Sequence, residues 1–183
     1  MSDFEYASVV VSIVLALGIA DVLRFIADTF RESGSRKLYW VHLLWIIVLL
    51  QLHVEFWWQM WNFRELVAVG PSLGMVLLGP GILFITTRTM LPAGITDNDF
   101  QTLFFRRKKL FFVMLALMNI WALFFSPWSA GMAPNASSIA VLGAFAVFMT
   151  LFIACAFSNN QLLHKVVVSL IVAVEVLDVF SVV

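Results

Sequence analysis

Glu55, Glu175 and Asp178 are carboxylates set inside long apolar runs, and His53 lies two residues before the first of them. A charged side chain near the bilayer centre costs at least about 2.5–3.5 kcal/mol, so each such group needs a partner or a wet cavity. At about 100° per residue, Gln51, Glu55 and Gln59 share one helix face, whereas His42 and His53 share the nearly opposite one. His164 and Glu175 repeat the spacing of that histidine pair, with Asp178 close to their stripe. At about 1.5 Å per residue, Glu55 lies roughly 9 Å and Glu175 roughly 12 Å below the same membrane edge. Two carboxylates close together in a low dielectric do not both stay ionised easily; one takes a proton or they share a cation. That is the chemistry of proton or small-cation passage, with Glu55, Glu175 and Asp178 binding and His53 as relay. The plainer account is a set of separate hydrogen bonds between helices, each worth about 0.6 kcal/mol on average.

A second group sits toward the opposite edge. Asp21, Arg24 and Asp28 follow an i, i+3, i+7 spacing, so Arg24 can pair with either carboxylate. With His42 and His164 they form a candidate inner gate, or a self-neutralised cluster that closes the helix contact. His42 and His164, on different helices at similar depth, also raise a b-type haem as an alternative. No other cofactor and no metal is expected: Cys155 is the sole cysteine and lies in an apolar run. No Gly-x-Ser-x-Gly elbow, His-Glu-x-x-His pair, Walker loop or Gly-rich dinucleotide turn is present, so catalysis is not expected.

The elements that must hold these residues follow from composition. Of 183 residues 62% are hydrophobic and 12% charged, against about 45–50% and about 25% for soluble domains. Six runs reach the roughly 20 apolar residues that cross a bilayer: 6–30, 38–61, 69–90, 110–128, 139–157 and 163–183. Backbone groups in lipid must bond within their own segment, so the expectation is an all-α polytopic bundle of six spans in a single integral membrane domain. The second span, polar on two sides, belongs in the middle of the bundle or at a subunit contact. The leader carries Asp3 and Glu5 and no basic residue, so the first span is not a signal peptide. Of 11 Lys and Arg residues, all but Arg64 fall on one side if both termini are external. The 11 acidic residues balance them, and nothing points to nucleic acid.

Two segments carry further expectations. Around residues 97–109, Thr96 or Asp97 caps a short inner-face helix in which Phe100, Leu103 and Phe104 form an apolar stripe ahead of Arg106, Arg107, Lys108 and Lys109. Such a segment lies on anionic headgroups, or simply fixes topology. In the third span, Gly79, Pro80 and Gly81 predict a kinked or broken helix, serving as hinge, as cavity wall or as close packing against a neighbour. Asn135-Ala136-Ser137 matches a glycosylation acceptor by chance beside a span.

Phe4-Glu5-Tyr6, Leu17-Gly18, Asp21 and Leu23-Arg24, with Trp40 and Trp57-Trp58, give the first two spans a pattern that resembles small multi-span bacterial inner-membrane proteins of unknown function. The resemblance implies a bacterial inner-membrane setting and carries no site residue. The expected function is an oligomeric channel or transporter for protons or small cations. The main rival is a non-catalytic subunit or assembly factor of a larger membrane complex, suggested by the Trp40, Trp57, Trp58 and Trp61 belt and by Ala140, Gly143, Ala144 and Ala146, small enough for close helix contact.

Overall fold

The computed structural model describes residues 2–31, 37–64, 73–91, 99–125 and 136–181, without the side chains of 62, 63, 125, 136–138 and 178–181. The expected Thr96 or Asp97 cap and Asn135 of the glycosylation triplet lie outside this description. Six helices follow one another: α1 (Asp3–Arg31), α2 (Trp40–Gln59), α3 (Leu73–Met90), α4 (Phe100–Phe125), α5 (Ala136–Phe157) and α6 (Gln161–Ser181). A short 3-10 turn, Met60–Phe63, extends α2. The chain is all-helical, with no strand among the described residues.

Several helix starts have local causes. Ser2 and Glu5 form a reciprocal capping box: the Ser2 N–H donates to Glu5 Oε2 at 2.8 Å and the Glu5 N–H donates to Ser2 Oγ at 3.2 Å. Asp99 caps α4, its Oδ1 accepting from the Gln101 and Thr102 N–H groups at 2.9 and 3.2 Å. Asn160 caps α6 through the Leu162 N–H at 2.9 Å.

Among the described residues, α1, α2, α3 and the Ile139–Phe157 part of α5 are long and apolar enough to cross a membrane. The chain is an integral membrane protein on that ground. The runs expected as fourth and sixth spans are helices too, α4 with Arg106, Arg107, Lys108 and Lys109 in its first half and α6 with Lys165, Glu175 and Asp178.

The helices alternate in direction. At one end Phe4 meets Trp61 with ring centroids 6.0 Å apart. The other, basic end gathers the end of α1, the start of α2, the end of α3 and the start of α4: the Phe100 N–H donates to the Lys37 carbonyl at 3.2 Å. The polar second span lies centrally, as its two polar faces require, since α2 packs against α1, α3, α4 and α6. α2 thereby occupies the place an axial pore of a single chain would need. Of the four apolar spans α5 is least covered, with 17% of its apolar stretch buried against 44% for α2 and α3.

α1 buries one face only, Ala7, Val11, Leu15, Gly18, Val22, Phe25 and Thr29, at the three-and-four spacing of a helix packed on one side. At Gly18 a Cβ would overlap the His53 imidazole, so the bare backbone is what lets α1 and α2 close up there.

Candidate functional site

At the basic end, Asp21 accepts from two guanidiniums, Arg24 Nη1 at 3.3 Å and Arg88 Nη1 of α3 at 3.2 Å. Asp28 pairs instead with Arg31 at 3.0 Å. The expected Asp21, Arg24 and Asp28 stripe therefore divides, and its strongest structural consequence, a tie between α1 and α3, comes from Arg88.

His42 and His164 are both fully buried and packed in aromatic rings. His42 stacks between Phe25 and Phe100, at 5.9 and 5.2 Å between centroids, and its nitrogens face the backbone of Met90 and Phe100 without hydrogen-bond geometry. The Nε2 of His164 lies 2.9 Å from the Ser158 carbonyl, and its ring stacks on Phe112 at 5.7 Å. Phe104 touches both imidazoles, at 6.4 and 5.2 Å. A haem ligated by both would need its flat ring where Phe104 stands, so this pair does not fit that cofactor. The two histidines belong to an aromatic layer that seals the end of the bundle.

His53 and Glu55 leave α2 in different directions. His53 is buried against Gly18, with Nδ1 donating to the Leu49 carbonyl at 2.7 Å. Glu55 is half-buried and accepts from Gln51 Nε2 at 3.0 Å on its own helix. Neither lines the space that Glu175 lines.

That space is a half-open cavity of about 200 Å³ at the junction of four helices. Trp45, Val48 and Leu52 supply the α2 wall, Asn119 and Met118 part of the α4 wall, Phe145, Phe148 and Phe152 the α5 wall, and Ile171 and Glu175 the α6 wall. Residues 45–52 are the middle of α2, so the cavity lies at membrane depth. Trp45 is 1% exposed and its indole N–H has no acceptor among the described residues. Glu175 thus lines this space with Asn119 and Trp45, whereas Glu55 and His53 do not. The side chain of Asp178 lies outside the description.

No family model matches this chain, and no curated protein or solved structure is significantly similar to it. The site has to be argued from its own chemistry.

α3 runs through Pro80 as one helix, so of the expected kink or break it has no break. Gly79 is pressed against Trp121, where a Cβ would come within 2.7 Å of three ring atoms. The Trp121 indole N–H donates to the Met75 carbonyl at 3.1 Å, and its ring stacks on Phe56 at 5.2 Å. Gly79 and Pro80 are therefore a packing contact in the protein interior, whereas Gly81 has open space where a Cβ would go. The residues expected to form a hinge do not line the Glu175 cavity.

The basic run also divides. Residues from Phe100 onward are one continuous helix, and Phe100, Leu103 and Phe104 are buried in the bundle rather than turned to lipid. Lys108 is 6% exposed and its Nζ donates to the Ala156 carbonyl at 3.0 Å, capping the last turn of α5. It is not a headgroup residue. Arg106, Arg107 and Lys109 remain exposed, with Lys109 Nζ 5.4 Å from the Phe157 ring.

Sequence reasoning missed Asn119 and Arg88. The signal for Asn119 was present, a lone amide within the apolar 110–125 stretch. Arg88 stands in the sequence as one of the basic residues that set orientation.

Proposed function

We propose that the protein binds a cation in the cavity between α2, α4, α5 and α6 and carries it across the membrane, with Glu175 as the binding carboxylate. What supports this reading is one observation: a carboxylate and an amide, Glu175 and Asn119, lining a cavity of about 200 Å³ at membrane depth. An intramembrane acid beside a cavity is a functional group by default, because burying it elsewhere would be costly. Glu55, His53 and the Asp21 cluster take structural parts in this account, which narrows the path expected from sequence to a single binding point. The basic end faces the cytoplasm of a bacterial inner membrane, with both termini outside and Arg106, Arg107 and Lys109 against anionic lipid.

Flux through proteoliposomes tests it. Glu175→Gln is expected to reduce cation or proton flux at least about tenfold, the effect of losing one worthwhile charge interaction, while Glu55→Gln leaves it near wild type. Undiminished flux in Glu175→Gln overturns the proposal.

A second reading has its own observation. Ala140, Gly143, Ala144 and Ala146 are exposed on α5, and a Cβ on Gly143 would have nothing within 4 Å. A face of small residues without cover suits contact with another helix, in an oligomer or as a subunit of a larger complex. Stoichiometric co-purification with a larger complex, together with no flux of any ion, would favour it.

A further inference from the structure

At the basic end of the contact between α1 and α3 the charges do not cancel. Asp21 accepts one hydrogen bond from Arg24 and one from Arg88, at 3.3 and 3.2 Å, so two cations share one anion. The next acid along α1, Asp28, is answered by Arg31 at 3.0 Å and leaves the pair its single positive charge. The Arg24 and Arg88 side chains are 72% and 58% exposed, whereas that of Asp21 is 17% exposed. The anion is covered and the cations are left open. A guanidinium carries five N–H donors in a fork that fits phosphate oxygens, and each of these two gives Asp21 one bond.

The strip leading away from the two arginines is apolar and matched in depth on both helices. α1 and α3 run in the same direction, so Leu17, seven residues before Arg24, and Gly81, seven before Arg88, both lie about 10 Å deeper at about 1.5 Å per residue. Seven residues is close to two full turns, which keeps each of them on the face of its arginine. Ile13 and Leu17 on α1 and Ile85 on α3 are each more than half exposed. A Cβ at Gly81 would have nothing within 4 Å, in contrast to Gly79, where it would meet Trp121. A lipid chain has room to lie where that side chain would stand. A free phosphate would engage the guanidiniums and leave the strip unused, whereas a phospholipid engages both. The single net charge matches one phosphodiester.

We infer that the contact between α1 and α3 is a binding site for one anionic phospholipid, its phosphodiester held by Arg24 and Arg88 and one acyl chain seated along Leu17, Ile85 and Gly81. The site is apart from the cavity that Glu175 lines and holds or fails without the function proposed above. No covalent step is involved.

Native mass spectrometry of the full chain in a neutral detergent, titrated with phosphatidylglycerol, tests the inference. One lipid per chain is expected to bind ahead of the rest, about fivefold more tightly than phosphatidylcholine with the same acyl chains, and to resist an excess of inorganic phosphate. Arg24→Gln, which leaves the bond between Asp21 and Arg88 in place, should weaken that first binding about fivefold. Gly81→Leu, which leaves both guanidiniums, should weaken it by filling the seat of the chain. Arg107→Gln, in the exposed basic run, should bind as wild type does. Helical circular dichroism and monodisperse elution establish that each variant is folded. Equal binding of the two lipids overturns the inference, as does displacement by inorganic phosphate. So does wild-type binding by folded Arg24→Gln or Gly81→Leu, or a loss in Arg107→Gln equal to that in Arg24→Gln, which would be the general attraction of a basic surface. If the variants do not fold, the wild-type competition among the two lipids and phosphate decides alone.

Discussion

Asp21 of α1 and Arg88 of α3 meet at 3.2 Å across a sequence separation of 67 residues. Arg24 approaches the same carboxylate from within α1 at 3.3 Å. One acid thereby ties two helices together at the basic end while keeping a second cation beside it, so the tie can be weakened without stranding the carboxylate.

Arg88→Gln should lower stability by about 0.5 kcal/mol, since exposed ion pairs are worth about 0.2–1 kcal/mol and the Arg88 side chain is 58% exposed. The loss should shrink toward zero at about 1 M salt, where screening acts over about 3 Å. Reversible unfolding in mixed micelles at two ionic strengths measures it. A loss that does not change with salt would mean that Arg88 acts through packing of its stem rather than through charge.

Gly79→Ala should cost about 1–3 kcal/mol, the usual penalty for an extra methyl in a filled interior. Trp121 cannot easily give way, because it is held by the Met75 carbonyl on one side and the Phe56 ring on the other. Gly81→Ala, with open space at its Cβ, should be neutral or slightly stabilising through helix propensity. Equal unfolding curves for the two variants would remove the packing role given to Gly79.

Lys108→Met should cost about 1–3 kcal/mol by leaving the Ala156 carbonyl without its donor. Lys109→Met, an exposed neighbour, should change stability little. The comparison asks whether adjacent lysines of one basic run are separable. If the two variants melt together, the buried hydrogen bond contributes nothing.

Asp99 has its carboxyl held below the ordinary aspartate range, chiefly by the Thr102 backbone N–H, with the Gln101 N–H and the nearby Lys37 ammonium adding to it. An acid with a depressed folded pKa stabilises the chain above its ordinary value and loses that contribution as pH falls through the folded value. Wild type should therefore exceed Asp99→Ala in melting temperature at neutral pH, with the gap closing in acid below the ordinary aspartate range. Asp99→Asn, which keeps an oxygen for the capping N–H groups, should fall between them at neutral pH. A gap that stays constant across this range would deny the charge any part in the cap.

Helix positions and the central place of α2 were legible because both follow from local pattern: long apolar runs, and polar residues on two sides of one helix. The site was less so. Depth placed Glu55 and Glu175 level with each other, yet rotation decides which groups meet, and α2 turns Trp45, Val48 and Leu52 to the cavity while Glu55 finds Gln51. Rotation is set by neighbours distant in sequence, such as Arg88 for Asp21. The basic run shows the opposite case, a signal present and not used. Phe100, Phe104, Lys108, Phe111 and Leu115 form one buried stripe at helical spacing, so the periodicity already put Lys108 inside and its neighbours outside.

The Lys108 contact also orders the making of the protein. Its acceptor, Ala156, is 48 residues further along the chain, so a ribosome releases α4 well before the carbonyl that receives its ammonium exists. Until α5 emerges, the Lys108 ammonium of the nascent α4 lacks this acceptor, so its final seating waits for α5.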